Sequence, residues 1–255
     1  MHDVRLSPAL GAGDIPAGRP LVLLDIDGCL NVGKLRDDAP AWVAESVPSD
    51  AFDDFVERVI SYPPDLIGQR SGLGMPCPEQ MRIRFSPAMV DGIGRAADDG
   101  LATFAWFTSW MEFASFFGDA AWPGRPSPIA GHVPWHLRGM SDDGRYGKEL
   151  AVSELFGSPW SLWLRQRLEA DSGFARNMCD GEHDMFGRVP GFVAADVPSV
   201  VIVDDKGGGD LYDDPGIFES AVGGVVPTLS VSPDPVCGMT RGEWETIEAF
   251  LREHT

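Results

Sequence analysis

Three apolar runs of this 255-residue chain stop on oxygen-bearing side chains: LVLL on Asp25 and Asp27, TFAWF on Thr108 and Ser109, and VVIV on Asp204 and Asp205. Four carboxylates gathered in one cleft repel one another and drift toward neutrality unless a cation offsets them. A hard divalent ion on oxygen ligands, Mg²⁺ before others, answers that need. The cluster then accepts a further anion, and a phosphoryl group suits metal, hydroxyl donors and a lysine. One aspartate can attack phosphorus to give an aspartyl-phosphate. A second carboxyl two residues along can protonate the leaving oxygen and then activate water. Asp25 and Asp27 have that spacing.

The chain has only three lysines, Lys34, Lys148 and Lys206, so the phosphate cation comes from a short set. Lys206 directly follows the acidic pair, and Lys34 follows the first acidic loop. Lys148 opens a helical pattern before the last acid-terminated strand, where helix-terminus geometry favours anions, and it is the preferred candidate.

For these side chains to meet, the strands that carry them must lie in one parallel sheet, whose carboxyl ends line a single crevice. The run at 21–28 reads as a buried parallel strand ending at a loop. Prolines break the pattern from Gly33 to about Gln80, with one helix expected at about Asp50 to Ile60. Order resumes at MRIRF. Ser86 and Pro87 then open a helix that closes near Gly100. Strand, helix and strand alternate as in an α/β sheet. Trp122 to Arg145 reads as loop, and helical patterns follow at Lys148 to Leu155 and Ser161 to Ala170. VVPTLSV reads as a short strand, and Thr240 with Glu243 forms a capping box before a last helix.

Composition narrows the class. The chain is 44% hydrophobic, too apolar for disorder. Twenty basic against 39 acidic residues leave a net of −19, which disfavours nucleic acid as a partner without excluding it. Cysteines at 29, 77, 179 and 237 form no C-x-x-C pair, which fits a reducing compartment. The apolar stretch from Leu101 to Gly118 carries Glu112 and falls short of the roughly 20 residues that span a bilayer. Residues 1–20 read as a flexible leader lacking a secretory signal, so a cytoplasmic location is expected.

DIDGCLN, FTSW, Lys148 and VDD, in that order, resemble the four motifs of the haloacid dehalogenase-like superfamily. LLDIDGCLN, WFTSW and the closing stretch PTLSVSPDPVCGMTRGEWETIEAFL are more narrowly similar to the haloacid dehalogenase-like domain associated with Swiss-army-knife RNA repair proteins. The resemblance implies a Rossmann-like three-layer α/β/α domain over 21–255, with a mainly parallel sheet. Cap-like insertions fall at about 33–80 and 157–198. Asp25 would be nucleophile and metal ligand, and Asp27 the general acid/base, its carbonyl also touching the metal. Thr108 would bind the phosphoryl oxygens, with Ser109 beside it, and Lys148 would offset charge. Asp204 and Asp205 would complete the Mg²⁺ site. Asp27 points to a phosphatase, since dehalogenase members lack that acid. The expected substrate is a small phosphorylated metabolite or nucleotide. Two other readings stand: a polynucleotide end phosphatase with a groove of Arg82, Arg84, Arg125 and Arg138, and a catalytically idle binding module.

Other groupings read as structural. His132 and His136 have helical ligand spacing, but Gly131 and Pro134 oppose a helix. Cys179 with Glu182, His183 and Asp184 lies in a glycine-containing loop, and Cys29 packs beside the proposed site. The tryptophans read as core or cleft wall.

Overall fold

The computed structural model describes residues 6–32, 48–69, 76–134, 145–156, 195–205, 218, 222 and 224–255. Its strands are β1 (Leu21–Leu24), β2 (Val56–Ser61), β3 (Gln80–Phe85), β4 (Thr103–Trp106), β5 (Ile129–His132), β6 (Val200–Val203) and β7 (Thr228–Val231). Its α-helices are α1 (Pro87–Asp98), α2 (Ala114–Ala121), α3 (Arg145–Phe156) and α4 (Arg241–Glu253). Five strands form a parallel sheet in the order β5-β4-β1-β6-β7, so the fold is α/β, as the alternation predicts.

Register is what positions the site. Leu21 lies opposite Thr103 and Val200, and Leu24 opposite Trp106 and Val203. The three central strands therefore end level, and Asp25, Phe107 and Asp204 leave the sheet at one edge. Continuous apolar runs are needed here because both faces are covered. Val22 and Leu24 join a cluster with Val90 and Ile93 of α1, Phe117 of α2 and Trp244, Ile247 and Leu251 of α4. Leu21 and Leu23 point the other way, into a cluster with Val152, Leu155 and Phe156 of α3. Full burial of each such side chain contributes about 1.5–3 kcal/mol relative to exposure, so the sheet end is a firm platform.

Both helix starts expected from the sequence are present. The Ser86 hydroxyl accepts from Met89 N at 3.1 Å, with Pro87 at the first helical position. Thr240 and Glu243 cap α4 reciprocally, at 3.2 and 2.7 Å.

The helix expected at about Asp50 to Ile60 is absent. Residues 56–61 form β2, which pairs antiparallel with β3, Val56 opposite Phe85 and Ser61 opposite Gln80. Local periodicity could not reveal a partner strand some twenty residues on. The acidic residues before β2 cap two other helices. Asp54 accepts from Ala88 N at 2.8 Å and from the Ser86 hydroxyl at the start of α1. Asp50 accepts from Gly242 N at 3.3 Å at the start of α4. Asp54→Ala is expected to lose about 1–2 kcal/mol, the worth of a cap plus the helix dipole. A thermal melt should show this as a fall of about 2–8 °C, and an unchanged midpoint would contradict the anchoring.

Two further expectations are corrected. The stretch read as loop from Trp122 holds β5, hidden because the strand is short and contains Gly131. A Cβ at Gly131 would lie 2.4 Å from the carbonyl oxygen of Pro8, so glycine is needed for this close approach. That contact belongs to the segment before β1, of which residues 8–10 pair with β5 and Gly18 N donates to Asp196 O, so it is tied to the domain at these points. Leu10 N donates to His132 O, His132 N donates to Pro8 O, and Leu10 and Ile15 are buried. The helix expected at Ser161 to Ala170, most of the 157–198 insertion, Lys34 and Lys206 lie outside the described residues. Among the described residues no helix is long and apolar enough to cross a membrane.

Candidate functional site

Asp25 and Asp204 are the first residues beyond β1 and β6, and ladder bonds still hold their backbones. Asp25 N donates to Val203 O at 2.9 Å, and Asp204 N to Val231 O at 3.1 Å. Both side chains are buried at the sheet end. Lys148, on α3, joins them: its Nζ donates to Asp25 Oδ2 and to Asp204 Oδ2, each at 2.6 Å. Val152, Leu155 and Phe156 seat that helix on the sheet. The ammonium also lies 5.4 Å from the centroid of the Phe107 ring, a favourable cation–π placement at the start of the β4 loop. Asp25 Oδ1 accepts from Ile26 N at 2.6 Å, so both its oxygens are engaged.

Asp205 completes an acidic triad. One carboxylate oxygen from each of Asp25, Asp204 and Asp205 lies within 4.8 Å of the others, a donor set suited to a hard divalent cation. Asp205 is half-buried against the backbone of Gly28. Gly28 has φ +74°, and a Cβ built there would fall 1.8 Å from Asp205 Oδ2. Gly28→Ala is therefore expected to cost about 1–2 kcal/mol in backbone strain alone and to displace Asp205. Thermal melts and Mn²⁺ titration would read the two effects. Full stability with unaltered metal affinity would show that Gly28 does not shape the triad.

The electrostatics follow from burial. Asp25 is pushed up to about 6, first by burial and then by Asp204, with Lys148 opposing. Asp205 is pushed up to about 7 by burial and by the charges of Asp25 and Asp204. Burial works against the Lys148 charge too, but Asp204 and Asp25 outweigh it and hold the ammonium well above its ordinary value. One permanent cation thus faces three carboxylates, two of them, Asp25 and Asp205, reluctant to ionise, an arrangement that a divalent ion would relieve.

Asp27 stands apart from the triad. Its side chain is exposed, its Oδ2 accepts from Trp110 Nε1 at 2.7 Å, and its Oδ1 accepts from Asn31 Nδ2 at 2.8 Å. Thr108 is fully buried just beyond β4, its Oγ1 accepting from Trp110 N at 3.4 Å, and Ser109 is half-buried in the same turn. Trp110 is expected from the sequence only as core or cleft wall, and Asn31 and Gly28 are not singled out by it. Their signal was adjacency: all three sit inside the DIDGCLN and FTSW motifs. Which atom each would meet depended on the fold.

The other groupings lie elsewhere. His132 is buried on β5, its Nδ1 3.0 Å from Ser7 O, while His136 and the Cys179 grouping lie outside the described residues. Burial and the charges of Asp25 and Asp204 push the buried Cys29 thiol well up, so it packs as an apolar residue. Arg125 donates to Asp98 at 3.1 Å at the end of α1, the end that leads into β4 and so lies opposite the acidic edge. Arg82 is 3.6 Å from Glu57, Arg84 stacks 4.9 Å from the Phe55 ring centroid, and Arg138 lies outside the described residues. Comparison with protein-family models, curated proteins and solved structures finds no match to this chain.

Proposed function

We propose that the chain is a Mg²⁺-dependent phosphohydrolase of the haloacid dehalogenase-like kind, a Rossmann-like three-layer domain whose β2–β3 hairpin serves as a cap. The observation that carries the reading is the Asp25–Lys148–Asp204 bridge at the level ends of two adjacent parallel strands, with a second acid two residues beyond Asp25. Asp25, Asp204 and Asp205 would hold Mg²⁺, with the Asp27 carbonyl, and the ion would supply charge for the phosphoryl oxygens. Thr108, Ser109 and Lys148 would orient those oxygens. An Asp25 oxygen bonds to phosphorus while the bond to the leaving group breaks, and the leaving oxygen keeps that electron pair and takes the proton of Asp27. In the second half Asp27 takes a proton from water as the water oxygen bonds to phosphorus. The Asp25–phosphorus bond breaks, and phosphate departs.

The substrate we propose is a small phosphorylated metabolite or nucleotide handled in the cytoplasm. The net charge of −19 disfavours a polynucleotide, and Arg82 and Arg125 already face carboxylates. The test is phosphate release from nucleotides, sugar phosphates, simple alkyl phosphates and phosphorylated oligonucleotides, with and without Mg²⁺. Metal-dependent release from small substrates is expected. Release confined to oligonucleotides would move the reading to end processing, and Mg²⁺ binding without any release would move it to a binding module.

A further inference from the structure

We propose that Trp110 is a positioning residue whose indole N–H, together with the Asn31 amide, holds the Asp27 carboxylate in the orientation that delivers a proton to the leaving oxygen. The inference rests on the phosphohydrolase reading above. An exposed carboxylate is ordinarily solvated, and its terminal torsion is broad. Asp27 is exposed, yet each of its oxygens accepts from a fixed N–H donor, at 2.7 and 2.8 Å.

Both donors are themselves held. Trp110 is 7% exposed, and its ring packs edge-on against Phe117, with centroids 6.0 Å apart. Asn31 Oδ1 accepts from Arg84 N on β3 at 2.9 Å, which ties the first acidic loop to the hairpin. The clamp therefore joins three segments: the β1 loop, the β4 turn and the hairpin. An indole only donates, so Oδ2 must accept there, and the carboxylate plane is set. Each oxygen uses one lone pair in this way and keeps another for the transferred proton. Satisfying the indole does not by itself require a carboxylate, since Trp122 in the same core donates to the carbonyl oxygen of Val90 at 3.2 Å.

Loss of this orientation should weaken leaving-group protonation by about 10- to 100-fold. The test compares kcat/KM for an alkyl phosphate, whose leaving oxygen needs a proton, with that for p-nitrophenyl phosphate, whose leaving group departs as the anion. This constant covers the steps up to leaving-group departure. Trp110→Phe keeps a ring against Phe117 and removes the N–H. Its aryl-to-alkyl ratio should rise about tenfold, in the direction set by Asp27→Asn. The double variant should match Asp27→Asn alone. Because both substrates are assayed on one preparation, the folded fraction cancels. Equal losses on both substrates, or additive effects in the double variant, would overturn the clamp while leaving the phosphohydrolase reading intact. A wild-type protein inert toward both would overturn that reading and the clamp with it.

Discussion

On the proposed mechanism, Asp25→Asn is expected to abolish metal-dependent phosphate release, lowering kcat by at least about 10⁴-fold, because an amide cannot replace the carboxylate proposed to attack phosphorus. The same substitution should leave the melting temperature of the metal-free protein unchanged or higher. Burial is the largest influence on this carboxyl and moves it up to about 6, so folding disfavours its ionised form at neutral pH. An amide of the same shape removes that charge and still offers Lys148 an acceptor, at the loss of the bond Asp25 Oδ1 accepts from Ile26 N, while Asp204 keeps its own bond to the ammonium at 2.6 Å. Activity and stability should therefore part company, as they do where an active site carries strain. Phosphate release and a thermal melt on one preparation would read both. Residual turnover within tenfold of wild type would assign the nucleophile elsewhere.

Lys148→Met should act on both at once. Methionine keeps much of the stem and removes the ammonium, which leaves Asp25 and Asp204 buried without their shared cation. Breaking such a bridge costs about 3–5 kcal/mol. Added Mg²⁺ should restore more stability to this variant than to the wild type, since the ion binds the folded triad and offsets the same charges. On the proposed mechanism catalysis should fall with or without that restoration, because the phosphoryl oxygens would lose the lysine proposed to orient them. Melting curves with and without Mg²⁺ decide the point. A variant as stable as wild type, or one indifferent to Mg²⁺, would mean that the acidic cluster is not a cation site. Retained activity would return Lys34 and Lys206 to consideration.

Much of the scaffold was legible because its signals are local. The LVLL and VVIV runs are apolar on both faces, as a parallel strand covered on both sides requires, and Ser86-Pro87 and Thr240-x-x-Glu243 mark helix starts through bonds spanning three residues. The β2 strand was missed for the opposite reason. VERVIS is stabilised by MRIRF, far along the chain, and Asp50 and Asp54 cap helices to which they are not joined in sequence. β5 escaped because four residues containing a glycine carry little propensity, and its edge is completed by residues 8–10.

The sequence by itself determined that acids and hydroxyls stand at the ends of three apolar runs, and that lysine is scarce enough to leave three candidates. Only the tertiary structure decided which of them meet. Level strand ends bring Asp25 and Asp204 onto one ammonium, Gly28 makes room for Asp205, and Asp27 turns away to Trp110, 83 positions distant. The physical reason is that spacing along a strand dictates a side chain's face and level, whereas the atom it meets is set by strand order, register and helix packing.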